Sequence, residues 1–288
     1  MALNYFADDQ GGNRRQRVLQ GITGFLSDNT PKLALWLGRQ LLLRPYGKRT
    51  RHFEQVTPSA ELDIDTRQGM AKVHLFGHSG PWIVTSHGWA DNSRCFEPLI
   101  QTLLQQGYSV AAIDHVAHGR ATGKQAHLLA FIEATEKLLA HFQQNHQAVS
   151  AIIAHSMGGL ASLNLQPQYL KDTKLILIAM PIRLFELMFV QVERMGISAK
   201  MLSLVLEHIS GQYQTQWQQL QYQHHLHKYR DRLYLIHDTD DKFAPFNHIE
   251  DVSREQGMPL YRTQNLGHNK LLRDTGVIQQ ISSILVGT

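Results

Sequence analysis

VSAIIAHSMGGLASLNLQ, residues 149–166, is the stretch on which the fold reading turns. Its apolar run, Val149 to Ala154, has the length and Val/Ile content of a buried strand. Ser156 follows, then the small residues Gly158, Gly159 and Ala161, and a helical pattern takes over. A strand that feeds a helix through so tight a turn carries one side chain on a sharp corner at its carboxyl end. The strand and helix approach closely there, so small residues are needed two before and two after the corner; Ala154 and Gly158 supply them. Ser156 within A-H-S-M-G is therefore a candidate nucleophile, although Gly and Ser together are common loop material and the string alone is weak.

Outward from this stretch, short apolar runs alternate with amphipathic ones. Strands are expected at Pro81–Ser86, Ser109–Ile113, Leu175–Ala179, Asp231–His237 and Pro259–Thr263. Helices are expected over Ser93–Gln106, Lys124–Gln144, Asn247–Glu255 and the C-terminal segment. This rhythm predicts an α/β three-layer sandwich, with a mostly parallel sheet and helices on both faces. Ligands of such sheets lie beyond the carboxyl ends of the strands, where His87, Asp114, Ser156 and the Pro181 region fall. Two extended segments, His52–Val56 and Met70–Phe76, read as an opening hairpin or edge strands.

The rhythm breaks twice. Residues 1 to about 30 show no firm period and are expected to lie over the main domain. From Pro31 a helix runs to a stop at Pro45 and Gly47; it either packs on the body or, with its basic neighbours, rests on a membrane surface or partner. Between Arg183 and Tyr229 no strand is evident and three amphipathic helices are expected. The expected organisation is thus 1–68 as an N-terminal helical extension with opening strands, 69–182 and 230–288 as the α/β core, and 183–229 as a helical cap. Phe185, Met188, Phe189, Val192, Met201, Val205 and their neighbours either line an apolar cavity or form the cap's own core.

Composition narrows the function classes. Hydrophobic residues make up 43% and charged residues 18%, the balance of a folded globular chain. A formal charge of +4, with no aromatic platform or zinc-finger spacing, argues against a nucleic-acid partner. The single cysteine, Cys95, excludes an internal disulfide framework and fits a reducing compartment. No apolar secretory core opens the sequence and no run is long enough to span a bilayer, so a cytoplasmic location is expected.

A serine hydroxyl needs a base within hydrogen-bond reach, and that imidazole needs a carboxylate to fix its tautomer. On a parallel sheet all three must sit at or just past strand ends. Ser156, Asp241 and His268 meet that condition in the order Ser, Asp, His. Asp240 stands next to Asp241 and competes for the acid role. His87 could serve as a base, but its turn position favours bracing the loop. His115 and His118, or His224, His225 and His227, lack a three-ligand pattern with an open position, so no metal is expected; no dinucleotide fingerprint or P-loop occurs either, so no cofactor is expected.

These residues together resemble the α/β-hydrolase superfamily, and within it the capped serine esterases and lipases of the monoacylglycerol-lipase-like kind, from about Gly69 to the C-terminus. Ser86-His87-Gly88-Trp89 looks like the family's H-G-x oxyanion loop. Asp114 with His118-Gly119 and Gly123 resembles its D-x-x-G-H-G-x-S-x-G loop, with Ala117 and Ala121 in place of Gly and Ser. His155-Ser156-Met157-Gly158-Gly159 fits the nucleophile motif with Ala154 for the first Gly. Asp238 to Asp241, followed by Pro245, resembles the G-x-x-D-x-x-x-P acid loop, with Asp238 where the family has Gly. Gly267-His268 matches the closing G-H.

The resemblance implies an acyl-enzyme on Ser156, with backbone N–H groups of Met157 and Trp89 facing the oxyanion and His87 and Gly88 supporting that loop. The expected substrate is a small-molecule carboxylic ester with a small or medium, partly apolar acyl group. An acyl thioesterase with the same triad is the alternative within enzymes, ahead of acyl transfer or C–C hydrolysis. A non-catalytic, hydrolase-like binding protein is the alternative outside them. Peripheral membrane contact stays open, and the sequence does not fix an oligomeric state.

Overall fold

The structure, a computed structural model, describes residues 14–46 and 52–287. These fall into two units. Residues 14–46 and 183–224 make a helical unit, and residues 52–182 and 225–287 make a sheet-bearing unit.

In chain order the elements are α1 (Arg14–Asn29), α2 (Pro31–Leu42), β1 (Ala60–Thr66), β2 (Gly69–Phe76), β3 (Trp82–Ser86), α3 (Glu97–Gln105), β4 (Ser109–Asp114) and α4 (Leu128–Gln144). Next come β5 (Val149–His155), α5 (Met157–Leu163), β6 (Lys174–Ile178), α6 (Leu184–Arg194) and α7 (Ala199–Tyr213). The chain closes with β7 (Leu233–Asp238), α8 (Phe246–Gln256), β8 (Leu260–Thr263), α9 (Gly267–Lys270) and α10 (Thr275–Val286).

Among the described residues eight strands form one sheet in the order β1-β2-β4-β3-β5-β6-β7-β8. β1, β2 and β4 pair antiparallel, and every pairing from β4–β3 to β7–β8 is parallel. Parallel strands are buried on both faces, which is why β3, β4 and β5 read as unbroken apolar runs rather than alternating ones. Alternate residues divide between two helical layers. Ile83, Val110, Ile153, Ile176 and Ile236 join one core cluster with Phe96, Leu99, Ile100 and Leu103 around α3 and with Val277, Ile278 and Ile281 of α10. On the other face α4 and α5 pack together, α5 against β5 and β6. Phe131, Ala134 and Leu138 of α4 are fully buried.

In the helical unit, α1 and α2 pack against each other and both against α7, and α6 also contacts α7. A Cβ on Gly38 of α2 would sit 2.7 Å from Val205 and 3.0 Å from Met201, so only glycine allows α2 so close to α7. Met201, Val205, Leu206, Ile209 and Val192 are buried, and Phe185 and Phe189 flank Trp217 at ring distances of 5.0 and 5.8 Å.

Two local expectations need correcting. His52–Val56 is not a strand; the first strand is Ala60–Thr66, in register with β2 from Ala60↔Leu75 to Thr66↔Gly69. Phe53 packs edge-on against His74 and Phe76 instead. The third helix of the insert is a series of 3-10 turns between Trp217 and Lys228, because its Gln- and His-rich sequence carries no apolar stripe to hold an α-helix. Of the segment 1–30 without a firm period, residues 14–29 are helix α1, and residues 1–13 lie outside the described residues.

Candidate active site

β5 ends at His155 and α5 begins at Met157, so one residue makes the corner. That residue, Ser156, has φ +52 and ψ −123, a conformation L-residues avoid and adopt where the surroundings impose it. Its N–H donates to Ile178 O at 2.9 Å and its carbonyl accepts from Gly159 N at 2.9 Å, pinning both sides of the turn. The small residues are steric requirements. A Cβ on Gly158 would lie 2.5 Å from the carbonyls of both Ser86 and His87, and one on Gly88 would lie 2.7 Å from Ser156 Cβ. Ala154 is fully buried in register with Ser86, so its methyl is accommodated where the motif has glycine.

The structure brings the three residues read from the sequence together. Ser156 Oγ lies 2.9 Å from His268 Nε2, and His268 Nδ1 lies 2.7 Å from Asp241 Oδ2. Asp241 is buried; its Oδ1 accepts from Phe243 N at 2.8 Å and Ala244 N at 2.9 Å. Burial alone would raise its pKa, but hydrogen bonds from His237 and His268 outweigh it and hold the carboxyl well below the usual range. A carboxylate at Oδ2 accepts a hydrogen bond from the Nδ1–H of His268 and so fixes the proton on Nδ1, leaving Nε2 as the acceptor facing the serine. Asp240, the competitor, is exposed and accepts from Asn265 N at 2.8 Å, away from the imidazole.

Asp238, the departure from the family's glycine, has a bracing place. Its buried carboxylate accepts from Thr263 Oγ1 (2.7 Å), Leu266 N (3.1 Å), Gly267 N (2.9 Å) and Asp240 N (3.0 Å). It thereby ties the loop carrying Asp241 to the loop carrying His268. Burial raises its pKa, but these donors hold it below the ordinary value. The sequence flags a third acid here; nothing in it announces four donors, three of them backbone.

His155, missed as a site residue, donates from Nε2 to the His268 carbonyl at 2.9 Å, with the two rings 4.7 Å apart. Burial first, then the neighbouring His268, drives its pKa down to about 3, so it stays neutral. His237 lies behind Asp241 and donates to Ala244 O at 2.7 Å. His155 ends β5 and His237 is one residue short of the end of β7, and only the fold reveals what they hold.

Side-chain hydrogen bonds hold the loop after β3. His87 donates from Nδ1 to Gly88 O at 2.7 Å and accepts the His115 N–H at Nε2 at 3.1 Å. It is fully buried, and burial lowers its pKa despite the Asp114 charge. His118 Nε2 accepts from Ala90 N at 3.0 Å, and His115 stacks on Phe131 at 3.7 Å and bonds Ser86 Oγ at 2.8 Å. Asp114 accepts from Ser93 N at 2.7 Å and Arg120 N at 2.8 Å, joining the loops after β3 and β4. Gly119 is obligatory beside it, since a Cβ there would lie 2.1 Å from Asp114 Oδ2.

Met157 occupies the first position of α5, where no preceding turn supplies an acceptor for its N–H. Trp89 is half-buried with its ring edge-on to His118 at 5.4 Å, and Phe243 lies edge-on to His268 at 5.2 Å. Cys95 is buried, and burial pushes its thiol well above the ordinary value. Among the described residues no three His, Cys, Asp or Glu side chains converge to hold a metal ion, and no helix is long and apolar enough to cross a membrane.

The strand order, the strained serine at the β5–α5 corner and the inserted helices are those of an α/β-hydrolase, and esterase- and lipase-like proteins are its relatives. Within that superfamily the chain belongs to the family described as "Serine aminopeptidase, S33", whose model matches residues 71–244. A monoacylglycerol lipase of Mycolicibacterium smegmatis is 33% identical over 81 residues, which is 27% of this chain and 29% of that protein. A human serine hydrolase-like protein is 32% identical over 106 residues, 35% of this chain and 50% of that one. These matches thus span half or less of each relative. Among solved structures, an esterase of Pyrococcus furiosus superposes with a TM-score of 0.61 at 16% identity, covering 85% of this chain and 97% of that one, a likeness of fold.

Proposed function

We propose that this chain is a serine hydrolase that cleaves carboxylic esters through an acyl-enzyme on Ser156. The observation that carries the reading is the continuous relay from Asp241 Oδ2 through His268 to Ser156 Oγ, at 2.7 and 2.9 Å. His268 Nε2 takes the Ser156 proton as Oγ attacks the acyl carbon. Asp241 stabilises the imidazolium that forms. The carbonyl oxygen becomes an oxyanion facing the Met157 and Trp89 N–H groups, and its collapse expels the alcohol, which takes the proton from Nε2. Water, deprotonated by the same nitrogen, then releases the acid and frees Ser156.

We take the acyl portion to be small or medium and partly apolar; Phe243, edge-on to His268 at 5.2 Å, supports the apolar part by setting aromatic surface beside the reacting groups. Phe185 and Met201 of the insert are buried and add nothing to this reading.

A fluorophosphonate probe tests the nucleophile: wild type should label covalently and Ser156→Ala should not. A folded wild type that resists labelling would instead favour a hydrolase-like binding protein. Matched oxygen esters and acyl-coenzyme A thioesters, assayed with an aminoacyl amide, then test the leaving group; higher kcat/KM on the thioester or amide would replace the ester assignment.

A further inference from the structure

Helix α1 is built inside out. Its buried residues are Thr23 and Ser27, and half-buried Gln16 and Gln20 share that face. Val18, Ile22 and Phe25, spaced four and three apart along the opposite face, are exposed. The contrast is sharp over two residues: Phe25 is 65% exposed and Ser27 8%.

The polar inner face has a structural reason. Thr23 Oγ1 donates to Leu19 O at 2.9 Å and accepts from Ser198 N at 2.9 Å, just before α7. Ser27 Oγ returns a bond to Thr23 O at 2.7 Å. A Cβ on Gly196 would strike Gln16, so the chain before α7 lies directly on α1. Small, hydrogen-bonding residues are what this contact demands. Nothing in it demands the outer row of Val, Ile and Phe; on the adjoining α2, Leu33 and Trp36 are exposed as well, the latter 58%.

The charges around that row are one-sided. Arg14 and Arg15 share the outward face one turn before Val18, and Arg17 and Lys32 are exposed beside it. Asp28, the one acid in residues 14–46, is neutralised by Lys200 at 2.8 Å. A second copy of this chain would bring the same cations against each other, whereas an anionic surface satisfies both the apolar row and its basic border.

We propose that the outer face of α1 and α2 docks on an anionic lipid bilayer, lying in the interface with Phe25, Ile22 and Trp36 inserted and Arg14, Arg15 and Arg17 at the headgroups. An interfacial helix of this kind needs an apolar row, flanking cations and no spanning length. Each cation near an anionic leaflet strengthens partition by roughly fivefold. The docking does not depend on the hydrolase reading, because it uses none of the residues assigned to that reaction.

The test is flotation of the full chain with phosphatidylcholine vesicles, with and without about one third phosphatidylglycerol. Co-flotation should require the anionic lipid and weaken as salt is raised. The triple variant Ile22→Ser/Phe25→Ser/Trp36→Ser should lose at least about tenfold in partition, and Arg14→Gln/Arg15→Gln/Arg17→Gln a larger factor on anionic vesicles alone. Since all these side chains are exposed, unfolding midpoints should match wild type, which separates lost binding from lost folding. Equal flotation with neutral vesicles, or none with either, would overturn the proposal. So would a concentration-dependent dimer that the apolar variant dissociates, which would assign the face to a second copy.

Discussion

Helices α4 and α1 are nearly equal in length, 17 and 16 residues, yet they spend their apolar side chains in opposite directions. α4 turns Phe131, Ala134, Leu138 and Phe142 into the sheet-bearing unit, where they are buried and where Phe131 stacks on His115 of the site-bracing loop. α1 turns Thr23 and Ser27 inward and leaves Val18, Ile22 and Phe25 in solvent. In the first helix burial supplies stability and positions the site as well. In the second, a few hydrogen bonds hold the helix and the apolar row is left for something outside the chain. The sheet-bearing unit should therefore be intolerant of change and the α1–α2 hairpin permissive.

The largest effect tests intolerance at the relay. Asp241→Asn removes the carboxylate that fixes the His268 tautomer, and turnover of a reactive ester should fall by about 10⁴-fold with substrate affinity little changed. Asp240→Asn, one residue away but exposed and bonded to Asn265 N, should stay within about twofold. Steady-state kinetics on both variants would decide it; a collapse in Asp240→Asn with Asp241→Asn intact would reassign the acid.

Next comes the same residue type in the two helices. Phe131→Ala should cost about 3–5 kcal/mol, the scale for emptying a close-packed aromatic site. Phe25→Ala should change stability by no more than about 0.5 kcal/mol, because little burial is lost. Denaturant midpoints at equal m-values measure both. A cost for Phe25→Ala approaching that of Phe131→Ala would erase the contrast between the helices.

These pairs also mark what the sequence could reveal. The strand–corner–helix at Ser156, the apolar runs of the parallel strands and the Ser, Asp, His order were legible, because burial on two faces and tight turns leave compositional marks. The register separating Asp241 from Asp240 was legible only through Pro245 and the motif spacing. The orientation of α1 was not, since its period points away from its own unit. His52–Val56 has strand-like residues but no pairing partner, which composition does not report. The brace at Asp238 was invisible because most of its donors are backbone N–H groups, brought near by loops far apart along the chain.

The sheet-bearing unit should also answer to pH through His155. The group is held neutral in the fold with a pKa near 3, against an ordinary value of 6.5. Between those values the unfolded chain binds a proton that the folded chain refuses, so stability rises with pH across this window. The contribution is fully present above pH 6.5 and is lost as pH falls toward 3, with a slope of up to about 1.4 kcal/mol per pH unit. His155→Gln keeps an N–H for the His268 carbonyl and removes the titration. Its stability profile should be flatter than wild type from pH 6 down to pH 4, while the α1 variants keep the wild-type slope. An unchanged slope in His155→Gln would mean that other groups set the acid limit.

The smallest effect lies where the chain departs from its family. Ala117 sits at φ +64, in the region that favours glycine, at the position where the related loop has Gly. Its N–H donates to Thr122 O at 2.7 Å and it is buried, so the loop from Asp114 imposes this conformation. The left-handed penalty for a Cβ is about 1–2 kcal/mol, part of which glycine returns through the greater freedom of the unfolded chain. Ala117→Gly should therefore gain roughly 0.5–1 kcal/mol in urea unfolding and leave the Asp114 bonds to Ser93 and Arg120 in place. A loss of stability would show that the Ala117 methyl contributes packing worth more than the strain, and that even this departure belongs to the intolerant unit.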